Sequence, residues 1–165
     1  MQTNKTLTEQ EAYLRLAALC AQVEHCRYEM DEKMRRWGLD DEARERVLTR
    51  LVAERYIDEE RYCRAFVADK IRYNKWGRRK VEQALWMKRI DTAISQQVLD
   101  DVDDCEYVAV LKPLIAQKRR STKARSDYEL NMKLIQFARS RGFDFNIIKQ
   151  CMDVDDDELN GDDDD

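Results

Sequence analysis

A short phrase that recurs three times constrains this chain more than any other feature of its sequence. It reads Gly38-Leu39-Asp40, then Arg89-Ile90-Asp91, then Gly142-Phe143-Asp144. Successive phrases stand roughly 50 residues apart, a spacing that is typical of stacked structural units. The sequence therefore predicts a small repeat array, a class of fold that usually serves as a binding surface.

The repeated phrase has the composition of a joint between two helices. Glycine after a helical run supplies the left-handed residue that ends a helix, and the aspartate that follows caps the next helix by accepting a backbone N–H. Arg89 holds the glycine position in the second phrase. Because a left-handed arginine is costly, we expect that joint to take a different turn.

Alignment on the three aspartates places apolar residues opposite one another at helical spacing. The second helix of each unit carries a matched pair: Met30 and Met34, Val81 and Leu85, Leu134 and Ala138. The third helix carries a matched trio: Ala43, Val47 and Leu48, then Ile94, Val98 and Leu99, then Ile147, Cys151 and Met152. The predicted fold is all-α, with nine helices in three tandem three-helix repeats that form an elongated, curved array.

The predicted repeats cover residues 8–55, 58–102 and 103–152. Helix-start signals agree with these boundaries, because a Ser, Thr or Asp with a glutamate three residues later is a capping box. Such boxes are Thr8 with Glu11, Asp103 with Glu106, and Ser126 with Glu129. Asp58 is predicted to cap a further helix, and Pro113 to kink the helix that begins near Asp103.

The composition excludes several other classes of protein. Charged residues make up 39% and hydrophobic residues 43% of the 165 residues, with four glycines and one proline, which favours helices with narrow apolar stripes. No apolar run approaches the ~18 residues of a membrane span, and the first six residues do not resemble a signal peptide. We therefore expect a cytoplasmic protein with no membrane contact.

Residues 153–165 carry nine acids and no base, so the −4 charge of the whole chain becomes +5 without them. A segment of this kind cannot bury apolar surface and repels itself, so we predict that it is disordered. Two roles for it are open: it aids solubility, or it imitates nucleic acid and folds back on a basic face.

Catalytic and metal-binding patterns find little support. The five cysteines form no CxxC pair and are expected to be buried or half-buried free thiols in a reducing compartment. His25 and Cys26 are adjacent, and adjacent side chains on a helix diverge by ~100°, so Cys26 is better placed as a helix N-cap than as a nucleophile. We predict no enzyme activity, no cofactor and no metal.

The sharpest chemical signal is a basic stretch with interleaved aromatics between Lys70 and Arg89. Its candidate contact residues are Lys70, Arg72, Lys75, Arg78, Arg79 and Lys80. Positive charge beside stackable rings suits a phosphate backbone, although an acidic protein partner would explain the same charges. The helix that starts near Gly77 is predicted to present free N–H groups to an anion, and Trp86 to lie in the core beside Leu85.

A second basic run is predicted to extend the same surface. It contains Lys118, Arg119 and Arg120, followed by Lys123 and Arg125. Arg35-Arg36 and the series Arg44, Arg46 and Arg50 are interpreted as ordinary exposed helix faces.

Residues 51–67, LVAERYIDEERYCRAFV, resemble the most characteristic stretch of the RecX family, and residues 75–85, KWGRRKVEQAL, are similar to the part that follows it. Residues 24–39 resemble the first repeat of that family. The resemblance covers about 8–152. The chain departs from the family pattern at Tyr62, where phenylalanine is common, at Arg89, where glycine is common, and in its long acidic segment.

The resemblance implies a regulator that binds the RecA recombinase without being an enzyme. Members of the family lie in the groove of the RecA filament on single-stranded DNA and block its growth or promote its loss. They thereby damp strand exchange, ATP hydrolysis and co-protease activity, which places them in homologous recombination, DNA repair and the SOS response. The expected partners are the RecA filament and single-stranded DNA, and the expected state is a monomer.

Two other functions fit the same residues. A general single-stranded DNA-binding helical-repeat protein would bind naked DNA tightly, with a steep dependence on salt. An adaptor for some other protein would show no dependence on DNA at all.

Overall fold

The computed structural model describes residues 7–152. Between those residues the chain forms nine α-helices and no β-strand, which confirms the all-α class. The helices are α1 Glu9–Gln22, α2 Arg27–Arg36, α3 Asp41–Ala53, α4 Glu59–Arg72, α5 Arg78–Met87, α6 Thr92–Asp100, α7 Asp104–Ser121, α8 Asp127–Ser140 and α9 Phe145–Cys151. The predictions for the first six residues and for the acidic segment 153–165 lie outside the described residues.

The described residues form two compact units. The first unit consists of the described residues in the segments Met1–Phe66 and Leu85–Ser95. The second unit consists of the described residues in the segments Val67–Ala84 and Gln96–Asp165. In the first unit α3 packs on α1 and on α2; in the second unit α7, α8 and α9 pack on one another. None of the helices in the described range is long and apolar enough to cross a membrane.

The core of the first unit follows from the spacing of apolar residues in α1. Ala12, Leu16 and Cys20 recur every four residues, so they lie on one side of the helix, and all three are buried. They pack with α2 and α3 in a cluster that includes Leu51. Burying one such leucine contributes about 1.5–3 kcal/mol, so this stripe decides which face of α1 turns inward.

Burial follows the alignment of the repeats. Six matched residues of α2, α5 and α8 have no exposed surface: Met30, Met34, Val81, Leu85, Leu134 and Ala138. The same positions in three separate helices therefore supply core contacts, as the sequence predicts. The residues next to each pair can differ in type from one helix to the next, because the matched pair supplies the core contacts of its helix.

All three repeated phrases take the same turn. Gly38, Arg89 and Gly142 have φ of 84°, 57° and 92°, and each is followed by a residue whose N–H donates to a carbonyl five residues earlier, at 3.2 Å in all three cases. This is the Schellman helix ending. The expectation of a different turn at Arg89 is wrong: the ending is retained, and the arginine adopts the strained left-handed backbone.

The predicted helix caps are mostly confirmed. Asp40 accepts from Ala43 N at 2.8 Å, Asp58 from Arg61 N at 3.0 Å, and Cys26 forms a capping box with Glu29. Asp144 stands at the start of α9 without a side-chain cap hydrogen bond, so the capping interpretation fails there. Helix α7 contains Pro113 and continues to Ser121, and the kink expected at the proline stays a prediction.

Two glycines allow the start of α5 to contact the joint between α8 and α9. Gly77 N donates to Arg141 O at 2.8 Å, and Arg79 N donates to Gly142 O at 3.1 Å. A Cβ on Gly77 would lie 2.3 Å from Phe143 N, and one on Gly142 would lie 2.5 Å from Lys80 N. The glycines are needed because backbone meets backbone with no room for a side chain.

Replacing Gly77 by alanine is expected to destabilise the protein by roughly 2–4 kcal/mol, because the added methyl separates these backbones and breaks both hydrogen bonds. Urea denaturation measures the change. Asn74→Ala, an exposed position in the same loop, is the control and should stay within about 0.5 kcal/mol. An unchanged midpoint for Gly77→Ala would show that the contact contributes nothing to stability.

The cysteines should differ in their reaction with iodoacetamide. Burial raises the pKa of Cys20 and Cys63 to about 11 and that of Cys26 to about 12, so these thiols stay protonated at neutral pH. Cys105 is exposed, contrary to the prediction that all five thiols are at least half-buried. Mass spectrometry after a short pulse should find label on Cys105 first. Equal labelling of Cys26 in the folded protein would contradict its burial.

Candidate partner-binding surface

The predicted basic residues fall in two places within the second unit. Lys70 and Arg72 end α4, Lys75 lies in the following loop, and Arg78, Arg79 and Lys80 begin α5. Lys118, Arg119 and Arg120 form the last turn of α7, where positive charge also complements the helix dipole.

The two places meet at the end of α8. Lys80 lies against Gly142, and Arg79 N is bonded to the carbonyl of that residue. From the other side, the Lys118 ammonium lies 5.2 Å from the centre of the Phe137 ring, and the Arg141 guanidinium lies 5.3 Å from it. The structure thus brings residues from both basic runs to the α8–α9 joint.

We call this group the α8-end cluster. Its members are Arg79, Lys80, Lys118, Arg139 and Arg141. The sequence prediction did not include Arg139 and Arg141, because they are isolated in the sequence from both basic runs and only the fold brings them to the cluster. The Arg139 guanidinium lies 4.2 Å from the centre of the Phe145 ring, and the side chain is half-buried.

Arg78 has a structural role in the second unit. Its guanidinium donates to Asp100 Oδ1 at 2.6 Å and to Gln96 Oε1 at 3.1 Å, and the side chain is mostly buried. Burial is the largest single influence and opposes the charge. The hydrogen bond to Asp100, together with the negative charge of Asp100 and of nearby groups, outweighs burial and raises the pKa of Arg78. Reversing this charge would leave Asp100 without its partner, so Arg78 is a poor position at which to test partner binding.

Trp76 is covered by positive charge. The ammonium groups of Lys70 and Lys80 lie 5.2 and 4.9 Å from the centre of its ring, and the ring is half-buried. Each contact contributes about 0.5–1 kcal/mol at a partly exposed site. The two ammonium groups therefore compete with any base for contact with the indole.

The predicted anion site at the start of α5 is wrong. The N–H groups of Gly77 and Arg79, which were expected to face solvent, donate to the carbonyls of Arg141 and Gly142. The partial negative charge of those carbonyls takes the place that an anion would occupy.

Six of the nine predicted contact residues are exposed, and no carboxylate of residues 7–152 pairs with any of the six. They are Arg72, Lys75, Arg79, Lys118, Arg119 and Arg120. Lys118 also lines a shallow groove between α7 and α8 with Lys123 and Lys133, of which Lys133 pairs with Glu129 at 3.3 Å. These charges are available to a partner that carries negative charge.

The arginines of the first unit contrast with them. Seven of these arginines pair with acids of the same unit: Arg27, Arg35, Arg44, Arg46, Arg50, Arg61 and Arg64. Arg44 is buried and bonded to Asp31 and to Leu39 O, each at 2.9 Å, which corrects its interpretation as an exposed residue. Positive charge in the first unit is thus largely neutralised by the fold itself.

Trp86 does not lie in the core. Its side chain is 72% exposed, and that of Met87 is 63% exposed. The prediction followed the neighbouring Leu85, but one residue along a helix is a turn of ~100°. The alignment of the repeats indicates an exposed position here, because Trp86 aligns with two charged residues, Arg35 and Arg139.

The buried polar cluster at the start of α2 does not resemble a catalytic site. Cys26 Sγ lies 3.3 Å from Glu29 Oε1. The other carboxylate oxygen of Glu29, Oε2, lies 3.7 Å from His25 Nδ1 and 3.9 Å from Lys88 Nζ. Burial keeps the thiol protonated, so it is a capping group and not a nucleophile. Among residues 7–152, no group of three or more His, Cys, Asp or Glu side chains is placed to hold a metal ion.

Comparison with known proteins identifies the family of this fold. Models of the second and third three-helix domains of RecX match residues 58–99 and 105–152. The regulatory protein RecX of Chlorobium limicola is 32% identical over 130 residues, covering 78% of this chain and 79% of the relative. That of Acinetobacter baylyi is 28% identical over 135 residues, covering 82% of each.

A solved structure agrees with the fold. The crystal structure of RecX from Lactobacillus salivarius superposes with a TM-score of 0.79 at 18% identity, covering 92% of this chain and 96% of that one. The two domain matches and the relative that is 32% identical show that the chain belongs to the RecX family of regulatory proteins.

Proposed function

We propose that this protein binds the RecA recombinase filament and modulates it, mainly by inhibiting recombinase, ATPase and co-protease activity. Membership of the RecX family and the exposed, unneutralised cations of the second unit support this proposal. The regulator acts by occupying a surface, with no bond made or broken. It would work in the cytoplasm, as a monomer, during homologous recombination and the SOS response.

The α8-end cluster is the proposed centre of the contact, flanked by Arg72, Lys75, Arg119 and Arg120. Arginine and lysine at an accessible surface suit phosphate oxygens or carboxylates, and such charges steer association as well as hold the complex. A filament on DNA presents both kinds of anion. The proposed repeats at 58–102 and 103–152 each contribute residues to the cluster.

A second candidate is a general single-stranded DNA-binding protein. The absence of carboxylate partners for six exposed cations in residues 7–152 favours it, because a phosphate backbone would supply them. It differs from the first candidate in requiring no recombinase. An adaptor for another protein finds no specific support in the described part of the chain.

The deciding experiment measures ATP hydrolysis by RecA on single-stranded DNA with substoichiometric amounts of this protein. We expect a progressive loss of rate at ratios far below one protein per recombinase. A control at the same concentrations measures binding to naked DNA, because competition for the strand would also slow hydrolysis. No effect at equimolar amounts would overturn the proposed partner.

Neutralising two cluster residues, Arg79→Gln with Lys118→Gln, is expected to weaken inhibition roughly tenfold or more, because two charge-assisted contacts are lost. The matched control is Arg35→Gln with Arg36→Gln, which removes the same charge from the end of α2 in the first unit. Equal loss in both pairs would mean that net charge, and not the cluster, carries the effect.

A further inference from the structure

The second repeat exposes two large apolar side chains at the surface of the described fold. Trp86 and Met87 are adjacent near the end of α5 and are 72% and 63% exposed. At the aligned positions the first repeat has Arg35-Arg36 and the third has Arg139-Ser140. The fold therefore accepts polar residues here, and the apolar pair needs another explanation.

Arg89, two residues further on, is also a departure from the other repeats. It replaces a glycine in a left-handed turn, with φ of 57°, which costs an L-residue backbone strain. Its guanidinium lies over the Tyr28 ring at 4.9 Å, and the side chain is exposed with no carboxylate of residues 7–152 in ion-pair contact. The buried residues Leu85 and Ile90 retain this turn, and Arg55 and Lys75 also have positive φ. Arg89 is therefore distinguished by its exposed guanidinium beside an aromatic ring, and not by strain.

We propose that Trp86, Met87 and Arg89 form an anchoring site for a protein partner whose surface has an apolar depression beside a carboxylate. The three departures lie within four residues of the first unit, and each costs the isolated protein solubility or strain. Trp, Met and Arg are the residue types enriched at the centres of protein interfaces. This inference rests on the proposed function, since the partner would be the recombinase of the filament.

The chemistry favours a protein over a nucleic acid. A single-stranded nucleic acid requires open aromatic rings for successive bases. Trp86 offers one such ring, but the Arg89 guanidinium lies over Tyr28 and Met87 has no ring, so the site cannot stack several bases in a row. Arg89 has its orientation set by the ring beneath it, which suits a fixed carboxylate. Lys88, the residue before Arg89, adds positive charge at the edge of the proposed anchoring site. Its ammonium lies 3.9 Å from the Glu29 carboxylate, which partly neutralises that charge.

The test installs the residues of the third repeat at the apolar pair, as the double variant Trp86→Arg with Met87→Ser. Affinity is measured for RecA filaments held on single-stranded DNA by a non-hydrolysable ATP analogue, and separately for the naked oligonucleotide. We expect filament affinity to fall at least about tenfold, whereas naked-DNA affinity stays equal or rises because a positive charge is added. The fold should be kept, because both positions are exposed.

Arg89→Gly is a second variant that tests the anchoring site independently of Trp86 and Met87. Glycine takes the left-handed turn without strain, so the melting temperature should stay equal or rise, while filament affinity falls. Tyr128→Arg, which replaces a 62% exposed aromatic on α8, is the matched control and should bind filaments like the wild type.

The outcomes separate the two proposals. If the wild-type chain does not bind filaments, the proposed function fails, and this site fails with it. If the wild type binds and the Trp86/Met87 variant binds within about twofold, only the anchoring site is overturned. A parallel loss of naked-DNA affinity would also overturn it, because Trp86 would then be stacking on bases.

Discussion

The second unit depends on backbone contact between the start of α5 and the joint that follows α8. Two hydrogen bonds, from Gly77 N and Arg79 N, hold two chain segments that are distant in the sequence. They set where the side chains of Arg79 and Lys80 emerge, and so they place two of the five residues of the α8-end cluster. The contact exists only because glycine stands on both sides of it. A surface of charges is thus positioned by residues that carry none.

Local chemistry explains what the sequence predicted well. Helix caps at Asp40, Asp58 and Cys26 depend on a few neighbouring residues, and the buried pairs of α2, α5 and α8 depend on spacing within one helix. The left-handed turn at Arg89 shows a limit of that approach. Propensity alone predicted a change of turn, but the buried residues on both sides, Leu85 and Ile90, retained the ending at the cost of strain.

Contacts between distant segments explain what the sequence did not predict. Nothing in the sequence near Gly77 indicates that the carbonyls of residues 141 and 142 accept hydrogen bonds from Gly77 N and Arg79 N. In the same way, nothing near Arg78 indicates that its guanidinium bonds to Asp100. The basic stretch was correctly identified as charged, but its members proved to have different tasks. Arg78 serves the fold, Lys70 and Lys80 flank Trp76, and Arg79 remains exposed.

The carbonyls of Arg141 and Gly142 occupy two N–H groups at the start of α5. Most helices satisfy such groups with a nearby side chain, with water or with a bound anion. Here backbone carbonyls more than 60 residues away in the sequence take that part. The joint that follows α8 therefore serves α5 as a helix cap that only the folded second unit can supply.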